Sequence, residues 1–379
     1  MRQNLAGEGL ADLFEGSTEK GTEFCPVLLK KESNQERSIS MRYENVYIEG
    51  TGYLVPDKVI TTAWIEDQLQ PVYKRLMIPK KFFERITGIE ERRWWPEDWQ
   101  PSDGAAEAGR RAIENAGVNK EDIDVVIYCG VCHDYIEPAN AVFVHEKIGL
   151  RQGILNFDVT NACLGFLNGM VMVANMIELG QISTGLVVAA ESPEEGQRAT
   201  IDKMLNNGCT KDDIRDNLAS FTLGSAGVGM VLTNKDNTKT GKKLLGGQHY
   251  SGTQFNDLCI AQRTWMKTDS QALLNKGADV ALEAWNRFLK EMDWDKEDID
   301  RVFTHQVSEP QRRKAMRMLK YPTKGKDYPI LKKYGNCGAA AAPLAFAMGI
   351  EEGVLNDGDK VCLFGVGSGV NSLILGVQW

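Results

Sequence analysis

Cys163 stands in Asn161-Ala162-Cys163-Leu164-Gly165, where an apolar, β-branched run over 154–160 gives way to a long apolar stretch. The run reads as a buried strand, and the stretch, stopping near Gly180, reads as a helix. A thiol at that junction lies at a helix N-terminus, where unpaired N–H groups and the helix dipole favour the thiolate. A small core residue at a tight turn gives the same local pattern, since free cysteine is among the most buried residue types. Other residues have to separate these readings.

The chain has four histidines. His305, in Thr304-His305-Gln306, ends a strand at the carboxyl edge where α/β proteins place their chemistry. His133 holds a comparable place earlier in the chain, while His145 and His249 fall in helix-like and strand-like segments and read as structural. Asn336 precedes an Ala-rich helix over 338–348, where capping is the plain reading. Together, Cys163, His305 and Asn336 all occupy strand ends or helix starts. A thiolate beside two neutral donors is equipment for acyl transfer through a thioester: the cysteine takes the acyl group, and the donors stabilise an enolate or oxyanion.

The elements that must bring these residues together come in two sets. Lys120–Asp124 reads KEDID, as does Lys296–Asp300. Each copy follows a helix, leads into a short strand, and precedes by about 40 residues a cysteine-bearing strand-to-helix junction. This repeat predicts two similar α/β halves, 43–235 with the cysteine and 236–379 with the histidine and asparagine, built on mostly parallel sheets with right-handed crossovers. Residues 62–83 read as helical, and 85–95 as a turn with a basic, aromatic stretch. The chain closes with two strands around Gly367-Ser368-Gly369. Because a strand rather than a helix follows, neither this string nor 223–232 is a dinucleotide fingerprint. Residues 1–42 form a polar extension without periodicity.

Composition narrows the class. The 379 residues carry a net charge of −8, against a nucleic-acid or anionic-membrane surface. No apolar run reaches the roughly 20 residues of a membrane span. Eight cysteines, mostly in apolar segments, suit a reducing cytoplasm. Cys129 and Cys132 are spaced C-x-x-C, but no second pair completes a zinc site. With no signal-peptide pattern at the N-terminus, we expect a cytoplasmic protein without a cofactor.

The segments Asp158–Phe166, His305-Gln306, Gly335–Gly338 and Gly367–Gly369 resemble the active-site motifs of the thiolase superfamily, closest to its synthase III-type condensing enzymes, over about residues 43–379. Thr87–Arg93 is similar to the same group. Asp134–Asn140, Phe157–Val159, Leu186–Val188, Thr222–Ser225 and Gly365–Asn371 resemble one branch, the head-to-head acyl-CoA condensing thiolases of bacterial olefin biosynthesis. The resemblance implies a layered αβαβα thiolase fold and a homodimer. It also implies non-decarboxylative Claisen condensation of two fatty acyl-CoAs, giving a 2-alkyl-3-keto acid or thioester and coenzyme A, with downstream enzymes of the pathway as further partners. It makes Cys163 the acyl carrier, with His305 and Asn336 on the second substrate's thioester oxygen. The backbone N–H groups of Cys163 and Ser368 become an oxyanion hole, and Glu137 becomes a base delivered across the dimer interface.

Glu137 has its own argument. Pro138 restricts it toward an extended shape on a fixed turn. A simple acyl-CoA has no carboxylate to lose, so its α-proton needs a base, and neither His305 nor Asn336 serves while donating to the thioester oxygen. Two departures from the family pattern stand out. Cys337 follows Asn336, where it reads as a packing residue, and Arg85 lies one position from the arginine that contacts coenzyme A in synthase III enzymes. Two other readings remain: decarboxylative condensation with malonyl carrier protein, in which Glu137 has no role, and a non-catalytic partner subunit.

Overall fold

Runs of buried apolar residues such as Val125–Tyr128 and Thr184–Glu191 build the central sheet, whose edge strand Leu155–Asp158 is more exposed. The computed structural model describes residues 39–206, 208–321 and 325–379, so most of the 1–42 extension lies outside the described residues. Within them the strands are β1 (Met41–Arg42), β2 (Val46–Leu54), β3 (Lys58–Thr61), β4 (Glu91–Trp94), β5 (Val125–Tyr128), β6 (Leu155–Asp158) and β7 (Thr184–Glu191). These are followed by β8 (Ala226–Asn234), β9 (Lys243–Ser251), β10 (Cys259–Gln262), β11 (Trp265–Thr268), β12 (Arg301–Thr304), β13 (Lys360–Gly367) and β14 (Asn371–Gln378).

The main sheet runs β12-β13-β14-β9-β2-β8-β7-β5-β6, with β1 added on β9. The order is nearly palindromic. In the first half β5 pairs parallel with β7, then β8 and β2 follow antiparallel; in the second, β12 pairs parallel with β13, then β14 and β9 follow antiparallel. The halves meet where Tyr47 of β2 pairs with Lys243 of β9. Both KED triplets form matching 3-10 turns ahead of β5 and β12. The expectation of mostly parallel sheets is corrected: only β5–β6, β5–β7 and β12–β13 are parallel. Each half returns through antiparallel strands, the β13–β14 hairpin being one, so crossover helices serve fewer connections than simple alternation implies. Met41 and Arg42, at the end of the expected 1–42 extension, pair with Gly247 and Gly246.

Period-two alternation gives the layers. Val125 and Ile127, Val187 and Ala189, and Val361 and Leu363 face a central core holding the helices Gly165–Glu178 and Ala341–Glu351. Val126 and Tyr128, Leu186 and Val188 face the opposite way, onto the helices Pro101–Ala116 and Asn140–Ile148. Cys362 and Phe364 likewise face Ala281, Trp285 and Phe288 of the helix Ser270–Met292. The result is helix, sheet, helix, sheet, helix: the αβαβα arrangement. The stretch 62–83 is helical over 62–68 and 70–76 but breaks at Leu69 and again over 77–81, and the basic stretch after residue 85 becomes strand β4, with Arg92 buried against the Ile60 and Phe221 carbonyls.

Candidate active site

The nucleophile turn is held by close packing. Gly165 opens its helix against β5 so tightly that an added methyl would lie 2.2 Å from the Cys129 carbonyl oxygen. Ala162 is left-handed at φ 46°, an uncommon conformation for a non-glycine residue, costing about 1–2 kcal/mol. Such outliers gather at functional sites, where the surroundings hold them. Here Leu164 N–H donates to Asn161 O at 2.9 Å and Gly165 N–H to Ala162 O at 3.1 Å, and Asn161 is tied to Asn168 at 2.9 Å. Cys163, half-buried on this turn, faces a cavity of about 1570 Å³. Ordinary ligand pockets span about 300–1,000 Å³, so there is room for a long ligand.

His305 and Asn336 line the same cavity. Asn336 is fixed by its backbone, N–H to Thr222 O at 2.8 Å and carbonyl from Gly224 N–H at 2.9 Å. Its side-chain oxygen accepts from Gly338 N–H at 3.0 Å, a local turn two residues on, while the N-cap position ahead of Gly338–Ala340 falls to Cys337 and carries no side-chain cap. The same oxygen lies 3.1 Å from His305 Nε2. With that oxygen held by Gly338, the Asn336 NH2 is left to donate into the cavity and the His305 proton is assigned to Nε2. Burial outweighs the bonds to Asn336 and the Val366 backbone and pulls the His305 pKa down to about 4, so the ring is neutral near pH 7.

Ser368 also lines the cavity, at the β13–β14 turn. That turn lies on the nucleophile: a methyl on Gly367 would sit 3.5 Å from the Cys163 amide nitrogen. The thiolate expectation needs correction. Burial, then the charge of Glu191 and of Cys259, push the Cys163 thiol well above its ordinary range. A helix N-terminus returns at most about 2 kcal/mol, so the resting group is a thiol whose proton leaves during attack.

Glu137 lies elsewhere. It is exposed and does not line its own chain's cavity, although Tyr135 and Ile136 beside it do. Its loop is pinned below the tip. Asp134 accepts from Ser102 N–H at 3.0 Å and from Asn140 Nδ2 at 3.1 Å, and Tyr128 Oη donates to Cys132 O. Tyr135, at 59% relative exposure, and Ile136, at 105%, precede Glu137 on the loop tip, and β6 is an edge strand of the main sheet.

The synthase III family matches residues 157–249, and its C-terminal counterpart matches residues 289–379. An acyl-CoA:acyl-CoA alkyltransferase of Shewanella oneidensis is 36% identical over 351 residues, covering 89% of this chain and all of its own. One from Xanthomonas campestris is 33% identical over 339 residues with the same coverage. The solved structure of Xanthomonas campestris OleA with bound lauric acid and lauroyl-CoA superposes with a TM-score of 0.87 at 33% identity, covering 89% of this chain and all of that one. The chain belongs to the OleA family of condensing acyltransferases.

Against this OleA frame, the sequence-derived residues divide clearly. Cys163, His305, Asn336 and Ser368 share one cavity. Arg85 does not join them: it is exposed on the last turn of the helix Phe82–Thr87, while Ile86 and Thr87 line the wall. Cys337 is fully buried, donates to Tyr334 O at 3.5 Å, and has its thiol pushed up to about 12, as suits packing. His145 is structural, its Nε2 at 3.0 Å from Arg151 O. His133 lines the cavity wall, with Nε2 3.5 Å from Asp158. Among the described residues no metal-ligating cluster occurs. Sequence reasoning missed Glu191 and the walls formed by the β10–β11 hairpin and by Leu273, Leu274 and Gly277 of the helix Ser270–Met292.

Proposed function

We propose that this enzyme joins two fatty acyl-CoA molecules head to head in a homodimer whose subunits complete each other's sites. The carrying observation is Glu137: a carboxylate on a braced loop, outside its own cavity and beside exposed apolar side chains. Cys163 Sγ attacks the first acyl-CoA carbonyl, the bond to coenzyme A sulfur breaks, and coenzyme A leaves with the thiol proton. Glu137 of the partner subunit takes an α-proton from the second acyl-CoA. His305 Nε2–H turns from Asn336 to the forming enolate oxygen, where the Asn336 NH2 also donates. The enolate carbon attacks acyl-Cys163, a carbon–carbon bond forms, and the Cys163 sulfur leaves and regains a proton. Hydrolysis of the remaining thioester then yields the 2-alkyl-3-keto acid.

Spacing supports these roles. Structures of Xanthomonas OleA include variants at a cysteine, at a glutamate 26 residues before it and at a histidine 142 residues after it. Glu137 and His305 stand at those distances from Cys163 (163 − 137 = 26; 305 − 163 = 142). The dimer reading draws on Leu155, 51% exposed on edge strand β6, and on Val131 and Ile136 of the loop, a patch that a second copy would cover. Free cysteines throughout the described residues support a cytoplasmic setting. The test is composite activity. Glu137→Ala and Cys163→Ala should each abolish condensation, and mixed dimers of the two should regain about half the activity of a wild-type dimer. Dead mixed dimers would place the base within its own subunit.

A further inference from the structure

Glu191, the last residue of β7, lies on the cavity wall yet is only 4% exposed. Its carboxylate is filled by backbone donors from both halves of the chain. Oε1 accepts from Val131 N–H and from Ala339 N–H, each at 3.0 Å, and Oε2 accepts from Cys132 N–H at 3.2 Å. Val131 and Cys132 begin the loop that carries Glu137, and Ala339 follows the turn that carries Asn336. The turn is shaped around the carboxylate: Gly338 is left-handed at φ 54°, and a methyl there would fall 2.8 Å from Glu191 Oε1.

We propose that Glu191 is a positioning residue, which locks the loop bearing the base to the turn bearing the enolate donor. The inference rests on the function proposed above. Only a carboxylate accepts on both oxygens; a glutamine would turn its NH2 against a backbone N–H. Desolvation raises the Glu191 pKa, while the Val131 and Ala339 N–H donors oppose the rise and favour the charged form. That charge bears on Cys163, so Glu191 also restrains the thiol.

The test uses full-length wild-type, Glu191→Gln and Glu191→Asp enzymes with one long-chain acyl-CoA. Three quantities are read: the first-turnover release of coenzyme A, steady-state condensed product, and the alkylation rate of Cys163 by iodoacetamide. Both variants should lose at least tenfold in product relative to their own first release. Glu191→Gln, having lost the charge, should alkylate several-fold faster at neutral pH, and Glu191→Asp should not. An unchanged product-to-release ratio in both variants overturns the proposal. Should neither variant fold, amide hydrogen exchange in the wild type decides: Val131, Cys132 and Ala339 must exchange far more slowly than Tyr135 and Glu137, and equal rates overturn it. Wild-type enzyme that makes no condensed product would count against the function itself rather than against Glu191.

Discussion

Cys163 and Cys337 are both thiols in small-residue company just before a helical turn, but Cys337 follows the helix Leu331–Tyr334 rather than the strand the repeat implied, and only Cys163 opens onto the cavity. Treatment with acyl-CoA should therefore leave one acyl adduct, found by mass spectrometry on the peptide containing Cys163. An adduct on Cys337 would reverse the assignment. For His305 and Asn336, hydrogen bonds that strengthen as the enolate forms are worth about 3 kcal/mol each. His305→Ala or Asn336→Ala should slow condensation about a hundredfold or more while sparing the first release of coenzyme A; equal losses would mean both act on the thiol. His305 also has a stability signature. Its folded pKa of about 4 lies below the ordinary histidine value of about 6.5, so the unfolded chain takes the proton first. Stability should fall as pH drops from about 6.5 toward 4, and His305→Asn should flatten that decline in denaturant titrations. The three reacting residues were legible in sequence because each marks an element boundary. Glu191 was not, since its meaning comes from N–H groups of residues 131, 132 and 339, brought to it only by the fold.

At the scale of elements, the site depends on how closely a helix can approach a strand. Gly165→Ala would drive a methyl into the Cys129 carbonyl, and Gly169 lies over the Cys129 sulfur in the same way. We expect Gly165→Ala to cost about 1–3 kcal/mol in chemical denaturation and to reduce Cys163 acylation, because the turn must shift with the helix. Wild-type stability with full acylation would show that the packing is not needed. Neither glycine stood out in the sequence as a place of close approach, whereas the strand–turn–strand ending at Gly367–Gly369 did read correctly. Strand direction did not. A short buried run such as β7 or β8 looks alike in parallel and antiparallel pairing, because both faces are covered by helices. The β10–β11 wall was hidden for another reason: its residues are largely exposed and carry no period.

For the whole molecule, duplication explains why one cavity can hold the thiol of one half and the donors of the other. The KEDID repeat announced it, and the palindromic sheet order realises it. What the duplication does not supply is a base, the role proposed above for Glu137 of a second copy. Condensation without decarboxylation can be read from one incubation: wild-type enzyme with a single long-chain acyl-CoA and no malonyl thioester. The predicted result is a 2-alkyl-3-keto acid or its thioester, with coenzyme A released continuously and Glu137→Ala halting after the acyl-enzyme. An acyl-enzyme that stalls in the wild type, with product only after malonyl carrier protein is added, would contradict it.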